Sequence, residues 1–306
     1  SPTMKTKKKV YFGTIYEMKF LYTLAKRFIA GHDFDSAKPV IADLMEQGYG
    51  VTIDYLGELS TTLDDCEKAA EQYLDIIRYY KNSPIDISVK PTQLGLKLNK
   101  EKTFELLSKI AHEAERYGVT IRLDMEDSSV TQDTIDLCLR VKKVGIALQS
   151  NLYRTAIDLP ELMAEGVSIR LVKGAYKENI TLAYQRNQYK VDTYIRLARE
   201  LLSNNGRTYF HYKHTCRHAI GTHDAGIIKS IRKELPVLKV QPDNFQFELL
   251  YGIRRDIASS LLSDGFNVTI YTPFGKEWLP YTLRRLKEFK NLRFVFVNII
   301  KEAFSK

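Results

Sequence analysis

Short apolar runs rich in β-branched residues recur along the chain, and each is followed by a longer stretch with helical periodicity. The runs are Val51–Tyr55, Ile85–Val89, Val119–Met125, Val144–Leu148, Val167–Val172, Ala219–Thr222, Asn244–Phe247 and Asn267–Thr272, at a mean spacing of about 31 residues. That spacing accommodates one strand, one helix and their connections. Phe104, Leu107, Ile110, Ala111 and Ala114 mark one helical face, and Ile195, Ala198, Leu201 and Leu202 mark another. Eight β-then-α units with parallel connections predict a closed (β/α)8 barrel of the TIM type, preceded by a helical segment over 14–48. The sixth run is the least defined, because Arg207–His218 (RTYFHYKHTCRH) also reads as a strand. No Pro/Gly/Ser-rich linker interrupts residues 14–306, which read as a single barrel domain behind a basic tail over 1–13. Within that tail, Ser1-Pro2-Thr3 before Met4 reads as an added leader.

Barrels of this kind place their chemistry at the C-terminal ends of the strands. Those ends carry Asp54 and Glu58, Lys90, Asp124 and Glu126, Gln149, Arg170 and Lys173, His223 and Asp224, Glu248, and Tyr271. A mixed-charge set with several cations suits a small substrate or cofactor bearing anionic groups. The segment Arg170–Tyr176 (RLVKGAY) is the most informative, because an apolar strand runs straight into a basic turn whose Gly174 lets a ligand approach the backbone. At the far end, Trp278–Arg285 (WLPYTLRR) predicts a helix begun by Pro280, with Tyr281 sharing a face with Arg284 and Arg285. Leu279, Leu283 and Leu286 would take its packing face. Paired guanidinium groups beside an aromatic ring suit a carboxylate attached to an apolar ring. Each residue also has a plainer reading. Lys90 can be a satisfied rim charge, Asp124 a helix cap (with Asp127 and Ser128 as rivals), Tyr271 core, and the arginine pair a solvated face.

Composition limits the remaining classes. The chain has 306 residues, 44% hydrophobic and 27% charged, with a net charge of +9 and three scattered cysteines. No apolar run approaches the roughly 20 residues that cross a bilayer, and Met4–Lys9 is not a signal peptide. The odd cysteine count favours a reducing compartment, so a cytoplasmic location is expected. The basic excess invites a polyanion, but no nucleic-acid-binding motif is present and no nucleic-acid partner is expected. Phe20, Leu21, Leu24, Ala25, Phe28 and Ile29 repeat at helical spacing beside Lys19, Lys26 and Arg27. Packing on the protein's own core is the favoured reading of that face, and peripheral contact with the inner face of a membrane is the rarer one. His211, His214, Cys216, His218 and His223 are metal-ligand types, but their spacing matches no zinc pattern, so no metal site is assigned.

Taken in order, several motifs resemble the proline dehydrogenase family. They are Leu24–Gly31 (LAKRFIAG), Thr52–Glu58 (TIDYLGE), Ser88–Gly95 (SVKPTQLG), Arg122–Glu126 (RLDME), Arg170–Tyr176, Thr222-His223-Asp224, Leu250-Tyr251-Gly252 and Tyr271–Gly275 with Trp278–Arg285. The resemblance implies a distorted barrel with its final helix over the mouth and a non-covalently bound FAD. It also implies oxidation of L-proline to Δ1-pyrroline-5-carboxylate, the first step of proline catabolism to glutamate, by hydride transfer from C5 to flavin N5. A membrane quinone is the implied acceptor, and a separate pyrroline-5-carboxylate dehydrogenase the implied partner. By resemblance, Lys90, Tyr281, Arg284 and Arg285 hold proline, with Lys90 and the arginines around its carboxylate and Leu250 against its ring. Asp124 and Tyr271 lie near substrate and flavin, and with Lys90 form the catalytic set. Gln149, Arg170, Val172, Lys173, Gly174, Ala175, Tyr176, Thr222 and His223 line the FAD, joined by Asp124.

Two departures stand out. The seventh strand reads Gln246-Phe247-Glu248, where the family usually has acid and amide the other way round. The stretch before the sixth strand is longer and more polar than usual. Three rival activities differ in kind. Hydroxyproline oxidation is disfavoured by the bulk of Tyr281, a Schiff-base lyase would use Lys90 or Lys173, and a nucleic-acid binder would use the basic surface.

Overall fold

The computed structural model describes residues 22–23, 25–57, 59–203 and 217–289, the side chains of 287–289 excepted. After α1 (Phe34–Glu46) the chain alternates through β1 (Gly50–Tyr55), α2 (Leu63–Tyr79), β2 (Ile85–Val89), α3 (Lys100–Tyr117), β3 (Thr120–Leu123) and α4 (Thr131–Val141). It continues through β4 (Gly145–Gln149), α5 (Thr155–Ala164), β5 (Ile169–Val172), α6 (Asn187–Ser203), β6 (His218–Gly221) and α7 (Ala225–Leu238). The last units are β7 (Phe245–Leu250), α8 (Arg255–Ser263), β8 (Val268–Phe274) and α9 (Trp278–Phe289). The strands pair in chain order, all in parallel, and β1 pairs with β8 to close the barrel. This is the (β/α)8 architecture that the periodicity predicts. The rival sixth strand over 207–216 and the residues Phe20, Leu21, Leu24, Glu58, His211, His214 and Cys216 lie outside the described residues.

Side-chain alternation splits each strand between two environments. The residues pointing out, among them Ile53, Ile87, Ile121, Ile146, Leu171, Ile220, Phe247 and Ile270, are buried in one apolar core shared with the helices. Those pointing in are largely polar or very small. The register aligns Ser88 with Arg122 and Gly145, and Ala147 with Arg170, Ala219 and Gln246. Barrel interiors are usually layered with branched aliphatics. Here two arginines occupy the lumen instead, and strands β4 and β6 leave them room. A Cβ on Gly145 would lie 3.4 Å from Arg122 Nη1, and one on Gly221 would lie 3.7 Å from Arg170 Cγ.

Local signals set the helix starts. Asp33 and Ser36 form a capping box on α1, and Thr62, Asn99 and Asp224 cap α2, α3 and α7. Asp224 is thereby explained as a cap. Asp127, not Asp124, caps the 3-10 turn that follows β3, leaving Asp124 to the lumen.

The mouth of the barrel is covered. Ala25, Phe28, Ile29, Leu56, Ile253, Trp278 and Tyr281 form a second apolar cluster, which seats α9 against the N-terminal segment. Ala30 N–H donates to the Pro273 carbonyl at 2.7 Å, and Gly275 N–H to the Gly31 carbonyl at 3.1 Å. The described part of the 20–29 face therefore packs on the protein's own core. The expected face of α9 needs a correction. Trp278, Tyr281 and Thr282 are its buried line, while Leu283 is 42% exposed and only Leu279 and Leu286 lie along the cluster. The helix begins at Trp278, two residues before Pro280, and the Trp278 ring meets the Tyr22 ring edge-on at 5.2 Å. That large contact sets the rotation of the helix and turns Leu283 outward.

Gly252 shows how closely the cover fits. Its φ is +76°, and a Cβ there would lie 1.6 Å from the Arg27 carbonyl oxygen. Gly265 has φ +85° with open space around it. Gly252→Ala should therefore cost about 3 kcal/mol and Gly265→Ala only about 1 kcal/mol, because the second carries the backbone strain alone. Denaturant unfolding of the two variants measures the difference, and equal losses would contradict the close approach.

Candidate active site

Six strands deliver charged or hydroxyl groups to one point below the mouth, and Asp124 is its centre. Asp124 Oδ1 accepts from Ser88 Oγ at 2.6 Å and from Arg170 Nη1 at 2.8 Å. Its Oδ2 accepts from the Tyr271 hydroxyl at 2.6 Å and lies 3.5 Å from Lys90 Nζ. Lys90 also donates to Asp54 Oδ1. Arg170 Nε donates to Glu248 Oε2 at 2.8 Å, and the Arg170 guanidinium lies 5.2 Å from the Tyr271 ring centroid. The sequence-predicted Lys90, Asp124, Arg170 and Tyr271 thus share one network, with Ser88, Asp54 and Glu248 completing it.

The network separates the two aspartates. Burial raises the Asp54 carboxyl and outweighs the attraction of Lys90. Burial also acts on Asp124, but there Lys90 and Arg170, with the Ser88 and Tyr271 hydroxyls, prevail and hold the carboxyl below its usual range. Asp124 is the settled anion. Burial opposes the Lys90 charge, yet the Asp54 and Asp124 carboxylates overcome it and raise its pKa. A Schiff-base lysine needs the opposite shift, so this environment disfavours a Lys90-based lyase. Tyr271 is raised well above its ordinary range by burial and by Asp124, and stays a neutral donor.

A second group lines the ends of β4, β5 and β6. Gln149 Nε2 donates to the Glu126 carbonyl at 2.8 Å, while Glu126 accepts from Thr92 N–H at 3.1 Å. After β5, Gly174 has φ +102°, and a Cβ there would fall 2.0 Å from Asn151 Oδ1. Lys173 is half-buried with its Nζ 3.9 Å from Asp224 Oδ2, and Tyr176 is half-buried and Ala175 exposed. Val172 faces Gly221, where a Cβ would lie 3.0 Å from its Cγ1. Thr222 Oγ1 accepts from Asp224 N–H at 3.1 Å, and Leu250 N–H donates to His223 Nε2 at 2.8 Å. His223 therefore carries its proton on Nδ1. Among the described residues, no cluster of histidine, cysteine, aspartate or glutamate could hold a metal.

The α9 residues divide. Tyr281 is buried under the cover, and the Arg285 guanidinium lies 5.3 Å from its ring centroid, on the side of His223. Arg284 instead borders a cavity of about 440 Å³, shared with Tyr55, Gly57, Gln93 and Lys276. Arg284 and Arg285 thus lie apart, one at this cavity and the other beside the Tyr281 ring.

The similarity to known proteins agrees with this geometry. A sequence profile described as proline dehydrogenase matches residues 37–295. The chain belongs to the proline dehydrogenase family. It is 33% identical over 285 residues to proline dehydrogenase 2 of Bacillus subtilis strain 168, covering 91% of each chain. It is 31% identical over 295 residues to the proline dehydrogenase of Deinococcus radiodurans, covering 92% of this chain and 91% of that one. In fold it is similar to the crystal structure of proline utilization A from Bdellovibrio bacteriovorus, with a TM-score of 0.81 and 23% identity, over 92% of this chain and 34% of that one. As a member of the family the chain is an oxidoreductase acting on proline, in proline catabolism.

Sequence reasoning passed over Ser88 and Asn151 as site residues. Ser88 was within reach, since it lies two residues before Lys90 on the same face of β2. Asn151 sits beyond its strand, where alternation no longer predicts direction.

One buried histidine, His218, and one half-buried histidine, His223, give a pH dependence. Burial, with the charges of Arg285 and Arg254, pushes His223 down to about 4. Burial and Arg122 push His218 down to about 3, with its Nδ1 accepting from Ile169 N–H at 3.1 Å. Their ordinary value is 6.5. Between about 4 and 6.5 the unfolded chain binds more protons than the folded one, so stability falls as pH drops through that window. The slope is at most about 1.4 kcal/mol per pH unit for each histidine. Unfolding free energies from pH 7 to 4 should show this loss, and His223→Gln should flatten it. An unchanged slope in that variant would contradict the assignment.

Proposed function

We propose that the site carries out FAD-dependent oxidation of L-proline to Δ1-pyrroline-5-carboxylate. The observation that carries this reading is the convergence of Lys90, Arg170 and Tyr271 on the Asp124 carboxylate, directly beside a stretch of buried polar atoms without partners. Those atoms are Gln149 Oε1, Asn151 Oδ1 and Arg170 Nη2, none of which has a hydrogen-bond partner among the described residues. Buried polar groups are rarely left so, and a run of them marks a ligand's place. At Gly174 the Asn151 side chain fills the place of a Cβ, so the glycine lets the unpartnered Asn151 amide sit at this edge of the site. The residues therefore fit a flavin.

In this reading Arg170, Gln149 and Asp124 face the FAD together with the turn Val172-Lys173-Gly174-Ala175-Tyr176 and with Thr222 and His223. FAD bound there would supply the two-electron acceptor for a hydride from proline C5, with a quinone as the onward acceptor. The protein's own residues bind and orient. Lys90, Arg284 and Arg285 meet the substrate carboxylate, with Arg284 swinging inward from its present place. Tyr281 and Leu250 shape the apolar slot for the ring. Asp124 keeps its charge and so aims Lys90, Arg170 and the Tyr271 hydroxyl, which spares the site from reorganising during the reaction. The cover of α9 and the N-terminal segment excludes water. A cytoplasmic setting, one domain over 14–306 and a separate pyrroline-5-carboxylate dehydrogenase downstream belong to the same proposal.

An anaerobic visible spectrum before and after L-proline tests the cofactor and substrate together. A flavin band that bleaches with L-proline and not with hydroxyproline is expected, and a colourless protein that added FAD cannot restore would sink the reading. Arg285→Met should lose about 2–5 kcal/mol of substrate binding, a rise in KM of roughly 30-fold or more, with kcat less affected. A variant with unchanged KM would remove Arg285 from the carboxylate.

A further inference from the structure

We propose that Glu248 is a positioning residue that holds down the reduction potential of the flavin through its ion pair with Arg170. Glu248 takes this role only if the flavin reading above holds. The role goes beyond that reading, because it sets how tightly the bound cofactor keeps its electrons.

The two cations below the mouth are served differently. Lys90 pairs with Asp54 and lies 3.5 Å from Asp124, while Arg170 pairs with Asp124 and Glu248, each at 2.8 Å. Asp124 therefore divides its charge between both cations, and it also accepts from Ser88 and Tyr271. Glu248 is undivided. It is 3% exposed, and Arg170 is the only hydrogen-bond or ion-pair partner of its side chain among the described residues. Its charge thus reaches the site through one guanidinium, without a contact to Lys90 or Tyr271.

The same ion pair is open to a ligand. Glu248 Oε1 and Arg170 Nη2 are both buried without a hydrogen-bond partner among the described residues. The pair still has one acceptor and one donor to offer, and buried polar atoms are rarely left so. A ligand that satisfies them lies against both charges.

The sign of the effect follows from electrostatics. A flavin takes on negative charge when it is reduced, and a guanidinium beside it stabilises that charge. A carboxylate on the same guanidinium works the other way, and burial keeps water from screening it. Glu248 is set within β7, aligned with Gly221 on β6 and Thr269 on β8, so the barrel itself holds the carboxylate in place. Arg170 alone would make the flavin a stronger oxidant. Paired with Glu248, it leaves a flavin that gives its electrons up more readily to the onward acceptor.

The midpoint potential of FAD bound to the full chain, measured against a reference dye without proline, tests the role. Glu248→Gln removes the charge and should raise the potential by about 30 mV, the two-electron equivalent of a tenfold change in the reduction equilibrium. Glu248→Asp keeps the charge and should stay near the parent. Glu101→Gln, at an exposed carboxylate on α3 that pairs with Arg140 at 2.7 Å, should not move it. KM for L-proline should stay within about twofold in Glu248→Gln, because Lys90 keeps both of its carboxylates. An unchanged potential in Glu248→Gln would overturn the proposal. So would an equal rise in Glu248→Gln and Glu248→Asp, since a lost contact and not a lost charge would then be the cause. A Glu248→Gln variant that takes up no FAD would overturn it as well, because the carboxylate would then build the site instead of tuning it. In each of these cases a parent that bleaches with L-proline keeps the flavin reading, whereas a parent that takes up no FAD sinks both.

Discussion

Arg122 and Arg170 lie inside the barrel at 0% and 3% exposure, and a guanidinium does not shed its charge at any pH that a protein survives. Each must be met by counter-charge and by acceptors, and the rest of the lumen follows from that need. Arg122 lies 3.4 Å from Asp86 and donates to Ser168 Oγ and to the Arg217 carbonyl, both at 3.1 Å. Arg170 takes Asp124, Glu248 and Ser88. Removing one partner of a buried pair strands the other at a cost of about 3–5 kcal/mol, so these carboxylates are structural as well as electrostatic. The room for two such side chains comes from Gly145, Ala147, Ala219 and Gly221 on the strands beside them.

A lumen of this kind cannot supply the apolar core of the domain. That work passes to the outward faces of the strands, whose aliphatics pack against the helices. The division frees the inner faces for chemistry. Ion pairs at the lower end anchor Arg122, and the same alternation one step up each strand brings Arg170, Asp124 and Lys90 to the mouth. The site is thus the upper layer of a polar stack whose lower layer is part of the fold.

The barrel was legible because its outward strand faces are aliphatic and its helices are amphipathic, patterns that are written locally. Strand ends could be read from the same alternation, which is why Lys90, Asp124, Arg170 and Tyr271 were found together. What escaped was set by contacts distant in sequence. The rotation of α9 depends on Trp278 meeting Tyr22, and Leu283 therefore faces solvent against expectation. The divergence of Arg284 from Arg285 depends on the cavity beside Gln93 and Lys276, which involves three separate units of the barrel. Asn151 lies in a connection, where no periodicity governs direction.

The order of amide and acid on β7 is intelligible in terms of charge. Gln246 and Glu248 both point inward, one layer apart, so the order decides which arginine receives the carboxylate. With Glu248 in the upper layer, Arg170 has two carboxylate partners, and Asp124 need not neutralise it alone. Asp124 can then share its charge with Lys90 and accept the Tyr271 proton donor. In the lower layer Gln246 Nε2 lies 3.4 Å from Asp86 Oδ2, so the amide supports the carboxylate that serves Arg122 instead of adding a second negative charge. Each arginine keeps an acidic partner in this order. This order sets charge toward the mouth without leaving either layer unpaired.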